Sequence, residues 1–137
     1  MDVDILSVRK IIGNNKRFIS PDNEPYAYYI WTSGEDESVI DESKITLYLQ
    51  KLQYAVDNVD ALVNTVFQEE FYHFYGIDKD AVKSPEQMSS ELIFESFVLS
   101  VDDNVIGAYL SNERFMYGHF IDCQWDMQWN LLYSWID

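Results

Sequence analysis

Few side chains in this sequence could carry covalent chemistry, because it has one cysteine and two histidines. A nucleophile needs a base within hydrogen-bond reach. Cys123 and His119 are four residues apart in a predicted strand, where they share a face but lie about 13 Å apart at roughly 3.3 Å per residue. That separation prevents direct proton transfer, so the sequence favours a buried structural thiol over a catalytic pair.

Glu70 and His73 have a Glu-x-x-His spacing in a predicted helix, and carboxylate-bridged metal sites use this spacing because residues three apart project together. Such sites take matching motifs from other helices, and the sequence contains none. Among 24 acidic residues, a glycosidase-like carboxylate pair is expected by chance. Phosphate-binding loops and CxxC pairs are also absent from the sequence. We therefore predict no catalytic residue, no metal and no cofactor, and we expect the protein not to be an enzyme.

Charge is unevenly distributed along the chain. The 24 acidic and 9 basic side chains give a formal net charge of -15. Within the first 17 residues the charged side chains are Asp2, Asp4, Arg9, Lys10, Lys16 and Arg17. This segment carries +2, so the remaining 22 acids and 5 bases carry -17. Such a field repels nucleic-acid phosphates and speeds encounter with a basic partner, although acidity also keeps a protein soluble. We predict a basic protein partner and no direct nucleic-acid binding.

Length and composition indicate one folded domain over residues 1–137. Hydrophobic residues make up 47% of the chain and aromatic residues 16%, enough for one continuous core and unlike a disordered chain. No run approaches the roughly 18 consecutive apolar residues of a membrane span, and the lone Cys123 cannot form an internal disulfide. We predict a cytoplasmic protein that does not enter a membrane.

The longest predicted element is helical. Residues 41–75 contain no Gly or Pro, and apolar residues recur in steps of three and four, which places them on one helical face. A continuous helix of about 35 residues would be roughly 52 Å long, longer than a domain of this size usually spans. The pattern thus predicts one long helix or two helices joined near Asp57 and Asn58, with a kink or break, or else a partner that covers part of the apolar face. The run Ser84-Pro85-Glu86-Gln87 predicts the start of a short helix that ends near Leu92.

Strands are predicted in both halves of the chain. Aromatic and β-branched residues favour a strand over residues 26–32, and residues 1–12 predict a short strand or a helical turn. In the C-terminal half, regular spacing predicts an antiparallel meander with strands at residues 97–101, 105–110, 117–125 and 129–136. The predicted fold class is α+β, with the meander packed against the long helix. The last two strands carry apolar residues on both faces, so any exposed remainder is a candidate contact surface.

Three features of the C-terminal part stand together: the capped helix at Ser84, the strand Phe97-Val98-Leu99-Ser100-Val101, and the motif Tyr117-Gly118-His119-Phe120-Ile121. In these features the chain resembles an uncharacterised bacterial family of small acidic α+β proteins with an aromatic-Gly-His strand motif. That family has no established catalytic activity, and similar small acidic proteins serve as immunity proteins beside secreted toxins. The resemblance implies a close backbone approach at Gly118. It makes His119 a polar group fixed on the sheet, with a satisfied core position as the leading interpretation.

The prediction is therefore an immunity-type inhibitor that covers a basic toxin or effector with an acidic face. Its candidate contacts are acids in predicted loops or on the strand that carries the motif: Glu35, Asp36, Glu37, Asp102, Asp103, Asp122 and Asp126. One alternative is a DNA-mimic inhibitor whose carboxylates imitate phosphate spacing. Others are a hydrolase with a carboxylate pair or a metal, and a structural domain that forms a homodimer through the long helix.

Overall fold

The structure of the protein is a computed structural model that describes residues 3–32, 42–66, 85–112, 116 and 118–137. Over these ranges the chain includes four α-helices, a 3-10 helix at Pro25–Ala27 and five strands, which confirms the predicted α+β class. In chain order the elements are α1 (Ile5–Ile12), β1 (Tyr28–Trp31), α2 (Glu42–Asp57), α3 (residues 59–66), α4 (Pro85–Glu91), β2 (Ile93–Ser100), β3 (Val105–Ser111), β4 (Ile121–Asp126) and β5 (Leu131–Ile136).

The described strands form one mixed sheet in the order β1-β2-β3-β4-β5. Strands β2 to β5 pair with their sequence neighbours in antiparallel fashion, whereas β1 runs parallel to β2. A parallel pair needs a long crossover connection, and the chain between β1 and β2 contains α2, α3 and α4. In this strand order, β1 lies at one edge of the sheet and β5 at the other.

The N-terminal segment is a helix, which decides between the two predictions made for residues 1–12. The Asp4 carboxylate caps α1 by accepting hydrogen bonds from the backbone N–H groups of Leu6 at 3.1 Å and Ser7 at 3.4 Å. Val8 and Ile12, four residues apart, are the buried positions of this helix. These features agree with a side-chain N-cap and a helical repeat.

The long helical pattern is interrupted at Asn58, between α2 and α3. The Asn58 Nδ2 donates to the Tyr54 carbonyl oxygen at 2.9 Å, alongside the Asn58 backbone N–H at the same distance. A side chain that shares a helical carbonyl in this way competes with regular helix geometry. The part of the predicted helix beyond Val66 lies outside the described residues.

Each strand alternates between a face packed on the helices and a second face. Two rows of the packed face cross the sheet, one with Tyr28, Phe97, Ala108 and Cys123, and the next with Ile30, Leu99, Ile106 and Trp125. Helix α2 covers this face with Tyr48, Leu52 and Ala55. The Tyr48 hydroxyl donates to the Phe97 carbonyl oxygen at 2.7 Å, which links the helix to the middle of the core.

Strand bounds and one register differ from the prediction. Strand β2 begins at Ile93 instead of residue 97, and β5 begins at Leu131 instead of residue 129. Strand β4 begins at Ile121 instead of residue 117, and a register shift opposite Gln124 and Trp125 interrupts β5. Because of that shift, Leu131 lies opposite Trp125 and Tyr133 lies opposite Gln124. The two residues therefore lie on opposite faces, whereas simple alternation from the sequence put them on the same face.

Candidate functional site on the open face of the sheet

The second face of the sheet exposes large aromatic side chains. We call it the open face, and define it by Tyr29, Trp31, Val98, Ser100, Val105, Gly107, Tyr109, Asp122, Gln124, Tyr133 and Trp135. Trp135 is 61% exposed, Trp31 45%, and Tyr109 and Tyr133 42% each. A group of large aromatic side chains that remain this exposed in the folded chain is a candidate contact surface.

A hollow of about 270 Å³ lies across the middle of the open face. Its lining comes from β1 to β4 and from the turn between β2 and β3: Tyr29, Trp31, Ser96, Val98, Ser100, Asp103, Val105, Gly107, Ala108, Tyr109, Asp122 and Gln124. Gly107 lies on the central strand, directly between Val98 on β2 and Gln124 on β4. The missing side chain at this position leaves room between the flanking side chains.

Backbone geometry does not require glycine at position 107. Its φ lies outside the left-handed region, and an added Cβ would meet the Cys123 carbonyl oxygen at 3.8 Å and the Gln124 Cγ at 4.0 Å. Both are ordinary van der Waals distances. Glycine weakens a strand interior and often marks a place where a ligand or another chain approaches closely. We therefore interpret Gly107 as the residue that keeps the hollow open.

Asp122 is the carboxylate nearest the centre of the open face. It lies opposite Tyr109 on β3 and opposite Trp135 on β5. Burial raises the pKa of the Asp122 carboxyl, and the negative charge of Asp137 raises it further. A carboxylate that is partly withdrawn from water next to another negative charge would gain from a cation.

The tyrosines beside Asp122 also respond to its charge. Burial raises the pKa of the Tyr109 hydroxyl, and the charge of Asp122 adds to this effect. The pKa of Tyr133 is raised by the same two causes in the same order. Both hydroxyls therefore stay protonated at neutral pH, and can donate hydrogen bonds to an incoming group.

Among the residues that the structure describes, no lysine or arginine lines the hollow. Several of the described basic side chains are engaged elsewhere: Arg9 pairs with Asp22, and Arg17 pairs with Asp60 at 2.7 Å. Lys51 donates to the Met127 carbonyl oxygen at 2.6 Å. The negative potential of the hollow is therefore not neutralised by the lining itself.

The acids predicted as partner contacts lie in different parts of the molecule. Asp122 lies at the centre of the open face, and Asp103 lines the end of the hollow, where Ser100 Oγ donates to its carboxylate at 3.3 Å. Asp102 is exposed in the same turn. The predicted contacts Glu35, Asp36 and Glu37 lie outside the described residues.

Asp126 has a structural role in the turn between β4 and β5. Its carboxylate accepts hydrogen bonds from the backbone N–H groups of Gln128 and Asn130 and from the Asn130 side chain, each at 2.9 Å. The hydrogen bonds from Asn130 are the main cause that lowers the pKa of Asp126. They stabilise a turn in which Trp129 has a φ of 68°. The carboxylate is thus already satisfied within the chain.

The predicted strand motif lies before β4. Tyr117 is outside the described residues, and Gly118 is a turn residue with a φ of 82° and no atom within 4 Å of an added Cβ. Gly118 is therefore needed for its backbone conformation, and the predicted close backbone approach is wrong. His119 is exposed, so its predicted core position is also wrong. Its Nδ1 donates to the Asp137 backbone oxygen at 2.9 Å, which ties the end of β5 to the start of β4.

The structure does not support a catalytic role for Cys123. The thiol is buried, and its Sγ lies 3.4 Å from the Ala108 carbonyl oxygen. Burial raises the pKa of Cys123 well above its ordinary value, so the thiol stays protonated. Its predicted strand relationship with His119 is wrong, because β4 begins after the histidine.

Metal-binding chemistry has no support in the described part of the chain. Residues 3–32, 42–66, 85–112, 116 and 118–137 contain no group of three or more His, Cys, Asp or Glu side chains able to hold a metal ion. Glu70 and His73 are outside these ranges.

The described helices also include none that is long and apolar enough to cross a membrane.

Comparison with known proteins leaves the site to be interpreted from its own geometry. No family model matches the chain, and no curated protein or solved structure matches it significantly.

The sequence singled out Asp122 and Asp103, which line the hollow, but not Gly107, Tyr109 and Trp31, which line it as well. Strand alternation was the available signal, because it placed apolar residues on both faces of the last two strands. What it lacked was the cross-strand register that puts Gly107 between Val98 and Gln124.

Proposed function

We propose that this protein acts by binding, and that its open face engages a basic partner protein. In its most specific form the proposal is an immunity-type inhibitor that covers the basic surface of a toxin or effector. The observation that carries it is the open face itself: exposed aromatic rings lie beside a partly buried carboxylate, and none of the described residues that line the hollow is basic.

The two kinds of side chain have separate roles in such a complex. The net charge of -15 speeds encounter with a basic surface. Trp31, Tyr109 and Trp135 provide the aromatic anchors that slow dissociation, because buried Trp and Tyr contribute much of the binding energy at protein interfaces. A rigid sheet presents these anchors with little loss of conformational entropy on binding.

Over its described residues, the long helix offers less exposed apolar surface for the alternative homodimer. The buried residues of α2 already pack against the protein's own core, and Ile45, Leu49 and Val56 pack beside them. The larger exposed aromatic surface is on the sheet, which favours the open face as the contact region.

A capture experiment with matched variants tests the proposal. The protein is immobilised and exposed to host lysate at low and at moderate salt, beside a double variant Asp122→Asn/Trp135→Ser and a control variant Asp57→Asn. The control removes one carboxylate from the end of α2, on the packed side of the sheet. We expect wild type and control to retain the same basic protein in a salt-sensitive manner, and the double variant to lose it.

Two results would contradict the proposal. One is retention of a basic protein by the double variant as strongly as by wild type, which would move the contact away from the open face. The other is enrichment that ignores salt or selects no basic protein, which would remove the electrostatic basis of recognition.

A further inference from the structure

We infer that the hollow over Gly107 is a subsite for a single arginine side chain of the basic partner. This inference deepens the proposed function and rests on it. It concerns which group of the partner enters the hollow, whereas the proposed function concerns the open face as a whole.

The dimensions of the hollow suit the end of one long side chain. Its volume is about 270 Å³, just below the range for small-molecule sites, roughly 300–1,000 Å³. Gly107 forms the floor at the centre of the sheet, with Val98 and Gln124 on either side. A group that enters here meets the backbone of β3 directly.

A negative acceptor lies within reach of the floor. Gln124 lies opposite Gly107, and Asp122 is two residues from Gln124 on the same strand. Asp122 is therefore a diagonal neighbour of Gly107, and such pairs are about 7–8 Å apart across a sheet. The carboxylate of Asp122 and the amide oxygen of Gln124 therefore lie on the same side of the hollow. Both accept hydrogen bonds from a donor-only group.

Aromatic rings border the same space. Tyr29 is in the same cross-strand row as Gly107, and Tyr109 is the next open-face residue along β3. Trp31 lines the hollow at the β1 edge. The faces of such rings attract cations, and a planar guanidinium also stacks on them.

These features favour arginine over the other side chains a partner could offer. Arginine presents five N–H donors in a plane, which suits a carboxylate and an amide oxygen beside aromatic rings. Lysine carries a compact and strongly hydrated ammonium, so it would lose more hydration on entering the hollow. Acidic or phosphorylated side chains would be repelled by Asp122 and Asp103.

A titration with short peptides tests the subsite. Three glycine–serine peptides that differ only in a central arginine, lysine or citrulline are added to the full chain, and the backbone amides of Gly107, Tyr109 and Asp122 are followed by NMR. Citrulline matches arginine in shape but has no charge. We expect saturable shifts with the arginine peptide, clearly weaker ones with lysine, and none with citrulline.

Variants locate the binding. Gly107→Val fills the floor of the hollow and is expected to abolish the arginine-specific shifts, with Gly107→Ala reducing them partially. Asp122→Asn should weaken binding about tenfold, because loss of one charge-assisted hydrogen bond costs enough for a factor of this size. Asp57→Asn should bind like wild type. A dispersed spectrum for each variant shows that it is folded.

The outcomes separate this inference from the proposed function. Equal binding of the arginine and lysine peptides, or unchanged binding by Gly107→Val, would overturn the arginine subsite. Salt-sensitive shifts of open-face residues with both oligo-arginine and oligo-lysine, equal in wild type and Gly107→Val, would overturn it while leaving the proposed function in place. Absence of open-face shifts with either oligomer would overturn both.

Discussion

Asp122 lies directly opposite Tyr109 in the antiparallel pairing of β3 and β4, in the part of the open face where the aromatic side chains are concentrated. The pKa of the tyrosine is raised first by burial and then by the charge of Asp122. The carboxylate is itself partly buried and lies near Asp137. This position weakens the folded state at neutral pH and at the same time prepares the surface for a cation.

Asp122→Asn is therefore expected to increase stability at neutral pH while it weakens binding. The folded-state pKa of Asp122 is raised above its ordinary value of 3.8. The contribution of protonated Asp122 to the free energy of unfolding is thus complete below pH 3.8. It is lost as pH rises through the raised folded-state pKa. The stability gain of the variant should grow over the same interval. Urea unfolding at a series of pH values measures it, and a variant less stable than wild type at neutral pH would contradict the prediction.

Asp126→Asn should have the opposite effect on stability. The pKa of Asp126 is lowered mainly by hydrogen bonds from Asn130. The contribution of the charged carboxylate to folding stability is therefore complete above the ordinary pKa, and it is lost as pH falls through the lowered folded-state pKa. The variant should be destabilised at neutral pH, with the difference shrinking in acid. Thermal unfolding followed by tryptophan fluorescence is a suitable measurement, since Trp129 lies in the same turn. An unchanged melting temperature at neutral pH would show that the turn does not depend on the carboxylate charge.

Gly107→Val should fold and should not lose stability. An added Cβ meets only ordinary van der Waals contacts, and the rest of the valine side chain extends into the hollow. Replacing glycine in a strand interior gains about 0.5–1 kcal/mol from reduced chain entropy and better strand propensity. Denaturant unfolding gives the free energy directly. A loss of more than about 1 kcal/mol, a size typical of overpacked sites, would mean that glycine is required for packing instead of for an open surface.

Arg17 should be the most sensitive basic residue for folding. Its Nε donates to the Leu92 carbonyl oxygen at 2.7 Å, a terminal nitrogen donates to the Ser89 carbonyl oxygen at 2.6 Å, and the other pairs with Asp60. Since charged hydrogen bonds contribute about 1.5–3 kcal/mol each and are only partly additive, Arg17→Ala should cost about 3 kcal/mol. Arg17→Lys should recover little, because one ammonium cannot reproduce three donors in a plane.

Arg9→Ala is the matched control for that experiment. Arg9 and Asp22 form an ion pair in which both side chains are about half exposed, and such pairs contribute about 0–1 kcal/mol. If the two arginine variants were equally destabilised in urea unfolding, the assignment of Arg17 as a structural link would be wrong.

Cys123 should resist thiol reagents in the native protein. Burial raises the pKa of its thiol well above the ordinary value, so neither access nor thiolate is present for reaction. Ellman's reagent at mildly alkaline pH should react only at the rate of unfolding, and rapidly in urea. Fast reaction without denaturant would contradict the buried position of this strand.

The elements that follow from local sequence were largely predictable. The turn formers at Asp102-Asp103-Asn104 separate β2 from β3. Alternation in β4 puts Ile121, Cys123 and Trp125 on one face, and the structure buries that face. The N-terminal segment was ambiguous because eight residues give little periodicity. Its helix is decided by the Asp4 cap, which depends on local hydrogen bonds.

The remaining features depend on contacts between distant parts of the chain. Residue 119 is excluded from β4 by the turn at Gly118 and is held by Asp137, which is 18 residues away. The shift in β5 reverses the face of Tyr133 relative to Leu131. The candidate site likewise depends on register, since Gly107 becomes the floor of a hollow only when Val98 and Gln124 lie beside it.

The position of β5 at one edge of the sheet has a consequence for colloidal behaviour. The strand reads Leu-Leu-Tyr-Ser-Trp-Ile, without the charged residue or proline that usually prevents sheet edges from joining. Mutual repulsion between molecules that each carry -15 then takes over this protective role. That repulsion fades near the isoelectric point of about 4.2 and in concentrated salt. Under those conditions the acidity of the chain no longer keeps identical copies apart.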